Sequence, residues 1–365
     1  MSEEGSHFLR GELLVDGDGR IAALRGERME GALKEGERWL LPGFIDLHVH
    51  GGAGADTMDG GDAVARLARL HARHGTTALL ATTMTAPLDE VRAALDALAA
   101  HCQARPARAA RVLGVHLEGP FISPRRLGAQ PNCARLALTD TLHDLLARAP
   151  IRVLTLAPEE GAHLALIPWL VERGVRVQLG HSLASYEQGV AALEAGATGF
   201  THLFNAMSPL QHRAPGLVGA ALAHAQHAEL IPDLLHVHAG ALRAALRAIP
   251  GAYAVTDATA AAGMPDGEFA LGRQRVFHCA GGVRLADGAL AGSALTMDQA
   301  LRNLVQIGLP LAEAAQRLSR HPADYLGLQD RGRLVVGAWA DFVELDADLR
   351  LRAVFVEGES IELES

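Results

Sequence analysis

The sequence predicts an α/β chain. A central (β/α)8 TIM-like barrel covers residues 43–332, and a small β-sandwich domain is assembled from both chain ends, residues 1–42 and 333–365. Three observations carry this. Through the middle, short apolar runs alternate with longer helical patterns, the signature of repeated β-α units. There are eight such runs, the number a barrel requires. Both ends read as short strands and turns, and neither is long enough to bury a sheet alone. A doubly wound open sheet is the competing topology.

In chain order, Leu13–Val15, the turn Asp16-Gly17-Asp18-Gly19 and Ile21–Leu24 read as a hairpin. The barrel strands are expected at Phe44–Leu47, Ala78–Thr83, Val112–His116, Val153–Leu156, Val175–Leu179, Thr198–His202, Leu230–Leu235 and Ala252–Thr256. Apolar residues at helical spacing mark Ala63–His74, Leu88–His101, Leu164–Arg173 and Ser185–Ala195 between them. Strand-like Phe342–Leu345 and Leu351–Val356 then return the chain to the end domain.

Composition excludes several functions. The net charge of −9 opposes nucleic-acid or anionic-membrane binding. No run of about 18 uninterrupted apolar residues predicts a membrane span. Met1 to Arg10, with acidic Glu3 and Glu4, lacks the apolar stretch of a secretory leader. Cys102, Cys133 and Cys279 are few, scattered and odd in number, which suggests a reducing compartment, so a cytoplasmic location is expected. Lys34 is the only lysine and sits in a polar loop. That removes a phosphate loop of the G-K-[ST] type and disfavours Schiff-base chemistry.

The residues that carry chemistry fall at strand ends. His48-Val49-His50 closes the first barrel strand, and residues i and i+2 of a strand share a face. Glu118 ends the third strand, His181 the fifth, His202 the sixth and Asp257 the eighth. Singly, each has an ordinary structural explanation: a salt bridge for Glu118, a backbone-bonded core imidazole for His202, a helix cap for Asp257. Together they occupy the C-terminal ends of the strands, where barrels place catalytic groups. Imidazole with carboxylate points to one or two divalent ions, Zn²⁺ or Fe²⁺ first, with Mn²⁺ and Co²⁺ as alternatives. The expected division is His48, His50 and Glu118 at one ion, and Glu118, His181 and His202 at the other.

These motifs resemble the N-acetylglucosamine-6-phosphate deacetylase family of the amidohydrolase superfamily. The resemblance runs from Leu40 to Asp346 through PGFIDLHVHGGAG (42–54), GVHLEGPFIS (114–123), TLAPE (155–159), THLFNAMSP (201–209), RAPG (213–216), VTDATAAAG (255–263) and HPADYLGL (321–328). It implies Glu118, His181 and His202 as metal ligands, with His48 and His50 as the extra pair of members holding a second ion. It implies Asp257 as the acid/base and His236 as an oxyanion stabiliser and substrate contact. Asn205, Ala206 and Arg213 match the positions holding the sugar phosphate. A phosphorylated amino sugar is the implied substrate and a homodimer the implied assembly, with Arg213 reaching the partner's site.

Two departures from the family pattern stand out. Leu234 replaces a glycine before His236, which puts that loop's backbone in question and leaves His238 as a competitor. Gln130 replaces a histidine on a sugar-facing loop, which leaves glucosamine against galactosamine open. The rival readings are a cyclic amidase or deaminase, a phosphatase or isomerase, and a non-catalytic sugar-phosphate sensor.

Overall fold

The computed structural model describes residues 1, 5 and 7–363; Glu3, Glu4 and the last two residues of the expected end domain lie outside them. The framework is a six-stranded parallel sheet. Its strands are Phe44–Val49, Thr76–Thr83, Arg111–Glu118, Ile151–Leu156, Arg176–Leu179 and Gly199–Phe200, each beside its sequence neighbour. A parallel sheet covered on both faces needs apolar side chains on both. Phe44–Val49 and Thr76–Thr83 are buried at every position, with Phe44, Ile45, Leu47, Val49, Ala78, Leu79, Leu80 and Ala81 as their apolar part.

Glu229–Leu230 and Tyr253–Ala254 form a separate parallel pair. Backbone bonds tie this pair to both edges of the larger sheet. Leu203 N donates to Glu229 O, while Asp257 N donates to His48 O and His50 N to Ala258 O. The last two expected strands, Leu230–Leu235 and Ala252–Thr256, are therefore only two residues long as paired strands. Their remaining residues bend away to form the rim.

Helices cover the outside. Ala63–Arg73 turns Val64, Leu67 and Ala68 inward, and Tyr186–Glu194 starts in a capping box between Ser185 and Gln188. Burying each large apolar side chain contributes about 2 kcal/mol.

At the chain ends, Trp39–Pro42 pairs antiparallel with Phe342–Leu345, in a sheet completed by Leu351–Val356 and Glu359–Ile361. Leu9–Val15 pairs with Ile21–Arg28 as a separate hairpin. Glu357 joins this end sheet to the barrel. It accepts from Arg105 at 2.9 Å and Arg111 at 2.8 Å, and also pairs with Arg331.

One element was not expected. Gly267–Leu271, Gln274–Cys279 and Gly282–Arg284 form a three-stranded antiparallel sheet. It packs its own small core of Leu271, Val276 and Val283 against Met84 and Ala261.

Candidate metal centre

Glu118 sits between two pairs of histidines and turns one oxygen toward each. Its Oε1 lies 3.0 Å from His202 Nε2 and 3.2 Å from His181 Nε2. Its Oε2 lies 3.1 Å from His50 Nε2 and 3.5 Å from His48 Nε2. Asp257 Oδ1 completes the second group, 3.3 Å from His50 Nε2 and 3.5 Å from His48 Nε2. All six residues are buried. The expected ligands converge, and Asp257 joins the His48/His50 pair.

Three of the four imidazoles are held from behind, while His202 Nδ1 has no hydrogen-bond partner. His50 Nδ1 lies 3.2 Å from Thr82 O, and His181 Nδ1 lies 2.8 Å from Arg126 O. His48 Nδ1 lies 2.9 Å from Glu229 Oε2. An imidazole donating through Nδ1 presents a bare lone pair at Nε2 when neutral. Yet His48 Nε2 and His50 Nε2 are 3.1 Å apart, as are His181 Nε2 and His202 Nε2. Two bare lone pairs would repel at that distance, so a proton or a shared cation belongs between the members of each pair. The N and O donor set therefore fits divalent ions of the zinc or iron kind.

The backbone bends sharply to reach this arrangement. His181, His202 and Asp257 have φ of 47°, 31° and 52°. Such left-handed conformations cost about 1–3 kcal/mol each for residues other than glycine, and they cluster at functional sites. Gly51 follows His50 because a Cβ there would stand 2.4 Å from Ala55 O.

The electrostatics match a cation site. Burial disfavours the charged forms of His48 and His50, but the surrounding carboxylates outweigh it. They hold His48 well above its usual value and His50 at about 9. Burial likewise opposes ionised Glu118, yet His48, His181 and His202 keep its carboxylate well below the usual range. Asp257 is depressed in the same way by His48 and His50, so it stands ionised. His116, beneath the centre, is pushed by burial down to about 4, and both its nitrogens are engaged, by Leu47 O and Thr155 Oγ1.

Above the centre is a cleft of about 160 Å³ lined by His50, Glu118, Gln130, Asn205, Ala206, His236 and Asp257, among others. His236 Nδ1 is 2.6 Å from Asp233 Oδ2. Burial lowers its pKa and Asp233 raises it more, for a net rise. Leu234 adopts φ 65°, so this leucine takes the conformation a glycine would. Asp233 Oδ1 then accepts from Leu235 and His236 N–H, and the loop is held. His238 caps the Ala239–Ala248 helix and does not line the cleft.

Gln130 is buried with both ends of its amide engaged. Nε2 donates to Glu118 Oε2 at 2.6 Å and Oε1 accepts from Thr85 N–H at 2.7 Å. Arg213 is exposed in the turn bridged by Gln211 and Ala214, and does not line the cleft. Sequence reasoning missed Glu229, and it missed the apolar wall of Met84, Leu271 and Leu290.

Residues 39–361 match the Amidohydrolase family. This chain belongs to the amidohydrolase family. The amidohydrolase is 41% identical to the N-acetylgalactosamine-6-phosphate deacetylase of Escherichia coli O157:H7, over 98% of this chain and 96% of that one. It is 41% identical to the N-acetylglucosamine-6-phosphate deacetylase of Lysinibacillus sphaericus, over 93% and 91%. Among solved structures it matches a mutant N-acetyl-D-glucosamine-6-phosphate deacetylase from Mycobacterium smegmatis in complex with N-acetyl-D-glucosamine-6-phosphate. The TM-score is 0.87 at 35% identity, covering 94% of this chain and 93% of that one. An α/β barrel with a second domain is the architecture this likeness supports.

Proposed function

We propose that this amidohydrolase is a metal-dependent hydrolase that removes the acetyl group from N-acetylglucosamine 6-phosphate, giving acetate and glucosamine 6-phosphate. The observation that carries the reading is the split carboxylate of Glu118 between two histidine pairs, with ionised Asp257 beside it at the mouth of the cleft. Near full-length likeness to deacetylases of phosphorylated amino sugars supplies the substrate class. The same likeness supports an eight-stranded closure of the barrel and a sandwich-like end domain.

His48, His50 and Asp257 would hold one ion, and His181 and His202 the other, with Glu118 between them. Such ions supply Lewis acidity toward water and the amide carbonyl. Asp257 takes a proton from the attacking water and returns it to the leaving nitrogen as the amide bond breaks. His236, whose protonated form Asp233 favours, would donate from Nε2 to the oxygen that gains charge. Asn205 and the Ala206 N–H face the phosphate, and Arg213 contributes from the partner's copy in a cytoplasmic homodimer.

The test is acetate release by metal-analysed protein from N-acetylglucosamine 6-phosphate, beside the unphosphorylated sugar. Turnover confined to the phosphorylated sugar is expected; no acetate from either, with metal bound, overturns the reading. A second reading has a specific observation behind it. The relative matched over 98% of this chain acts, by name, on the galactosamine epimer. The epimer therefore runs in the same assay, and a preference for it would reassign the substrate while leaving the mechanism.

A further inference from the structure

Glu229 lies beneath the metal centre, fully buried and outside the cleft lining. It opens the two-residue strand Glu229–Leu230. Its Oε2 does two things at once. It accepts from His48 Nδ1 at 2.9 Å and from the backbone N–H of His202 at 3.1 Å. The backbone carbonyl of Glu229 also accepts from Leu203 N–H at 2.9 Å. One residue thus holds a histidine from each pair, His48 through its ring and His202 through the turn that gives it φ 31°.

Three features argue that the arrangement serves the ions rather than packing alone. First, a buried carboxylate is costly unless compensated, and Glu229 Oε1 has no hydrogen-bond partner. The groups beside it that can carry positive charge are imidazoles, His48 at 2.9 Å from Oε2 and His116 at 3.8 Å from Oε1, so a cation held at His48 would add to its compensation. Second, an acceptor at Nδ1 selects the tautomer of His48 that leaves Nε2 bare toward the centre. Third, His48 is the one candidate ligand whose Nδ1 meets a carboxylate; His50 and His181 meet backbone carbonyls. A carboxylate behind a ligating imidazole raises its basicity and fixes its orientation.

We propose that Glu229 is a positioning residue of the metal centre, acting through His48 to set the affinity of the His48/His50/Asp257 position. This rests on reading the cleft as a metal centre, and is independent of which sugar is cleaved. His116 does not share the role, because its two nitrogens are already engaged.

The test is a Zn²⁺ titration of metal-stripped full-length protein, read by calorimetry and metal analysis, for wild type, Glu229→Gln, His48→Ala and the double variant. In Glu229→Gln one class of zinc should weaken about 10- to 100-fold and the other far less, since the amide oxygen can still accept from the His202 N–H. The double variant should bind no worse than His48→Ala, since the effect travels through that ring. Far-ultraviolet circular dichroism and melting separate this from misfolding. Glu229→Asp, which keeps the charge at shorter reach, should recover part of the loss. Unchanged zinc binding in Glu229→Gln overturns the proposal. So does a loss that adds fully to that of His48→Ala, which would mark a structural role. Wild type that binds no zinc, iron or manganese overturns the metal-centre reading itself.

Discussion

Asp233 Oδ2 lies 2.6 Å from His236 Nδ1, and this contact decides what His236 can do at its other nitrogen. A neutral imidazole donating at Nδ1 only accepts at Nε2. A charged one donates at both. Asp233 lifts the pKa of His236 against the opposing effect of burial, so the doubly donating form persists above the ordinary range. Turnover should therefore fall on the alkaline side as His236 loses its proton. In Asp233→Asn the alkaline limb of the kcat/KM profile should move to lower pH. A limb that stays in place would remove His236 from oxyanion stabilisation.

Asp257→Asn should keep the ions and lose most turnover. His50, His48 and Glu118 still supply nitrogen and oxygen donors, while the amide can neither accept the water proton nor deliver one to the amine. A drop of about 10²- to 10⁴-fold in kcat is expected, with metal content near that of wild type. Single-turnover acetate release beside metal analysis checks both halves. Full turnover in this variant would place the acid/base elsewhere.

Metal uptake should be opposed by protons. His50 is raised to about 9 in the metal-free chain, chiefly by Asp257 and Glu118 acting against burial. A group raised on folding stabilises the fold fully below its ordinary value near 6.5, and that contribution is lost as pH rises through about 9. Melting of metal-stripped protein should therefore fall across this window. Apparent zinc affinity should rise across it, because the ion must displace those protons. Metal-loaded protein should show a flatter melting profile. An affinity that is constant from pH 6 to 9 would mean the histidines are not proton-loaded.

Much of the site was legible because its residues stand where the barrel geometry puts them. His48, His50, Glu118, His181, His202 and Asp257 were found from their shared place at strand ends, since the ordinary explanations that serve each one singly do not account for all of them on one rim. Glu229 was not, because it precedes the apolar run Leu230–Leu235 and reads as the polar edge of a strand. Its role depends on a contact with His48, 181 positions away in sequence. The sheet at Gly267–Arg284 was missed for a different reason. Its strands are only five, six and three residues long, too short to stand out as expected elements. Packing against Met84, far away in sequence, makes it a wall of the cleft. Gln130 was legible as a departure but not as a partner of Glu118, which only the fold brings to 2.6 Å.

Strong acid should loosen the joint between the barrel and the end sheet. Glu357 has a side chain only 10% exposed, and it meets Arg105, Arg111 and Arg331. Burial opposes its charge, but the guanidinium groups win and hold it at about 2. A carboxylate depressed on folding stabilises above its ordinary value of 4.5, and that contribution is lost as pH falls toward 2. Glu357→Gln should therefore lower stability by about 1–2 kcal/mol at neutral pH, because Arg111 loses its carboxylate partner while Arg105 keeps Glu359 and Arg331 keeps Asp341. Its stability should also depend less on pH between 4.5 and 2 than that of wild type. Zinc affinity at neutral pH should be unchanged, since Glu357 has no contact with the histidine pairs. Urea unfolding at several pH values, with a zinc titration beside it, measures all three. Equal stability of the variant and wild type at pH 7 would show that the arginine cluster is solvated rather than structural.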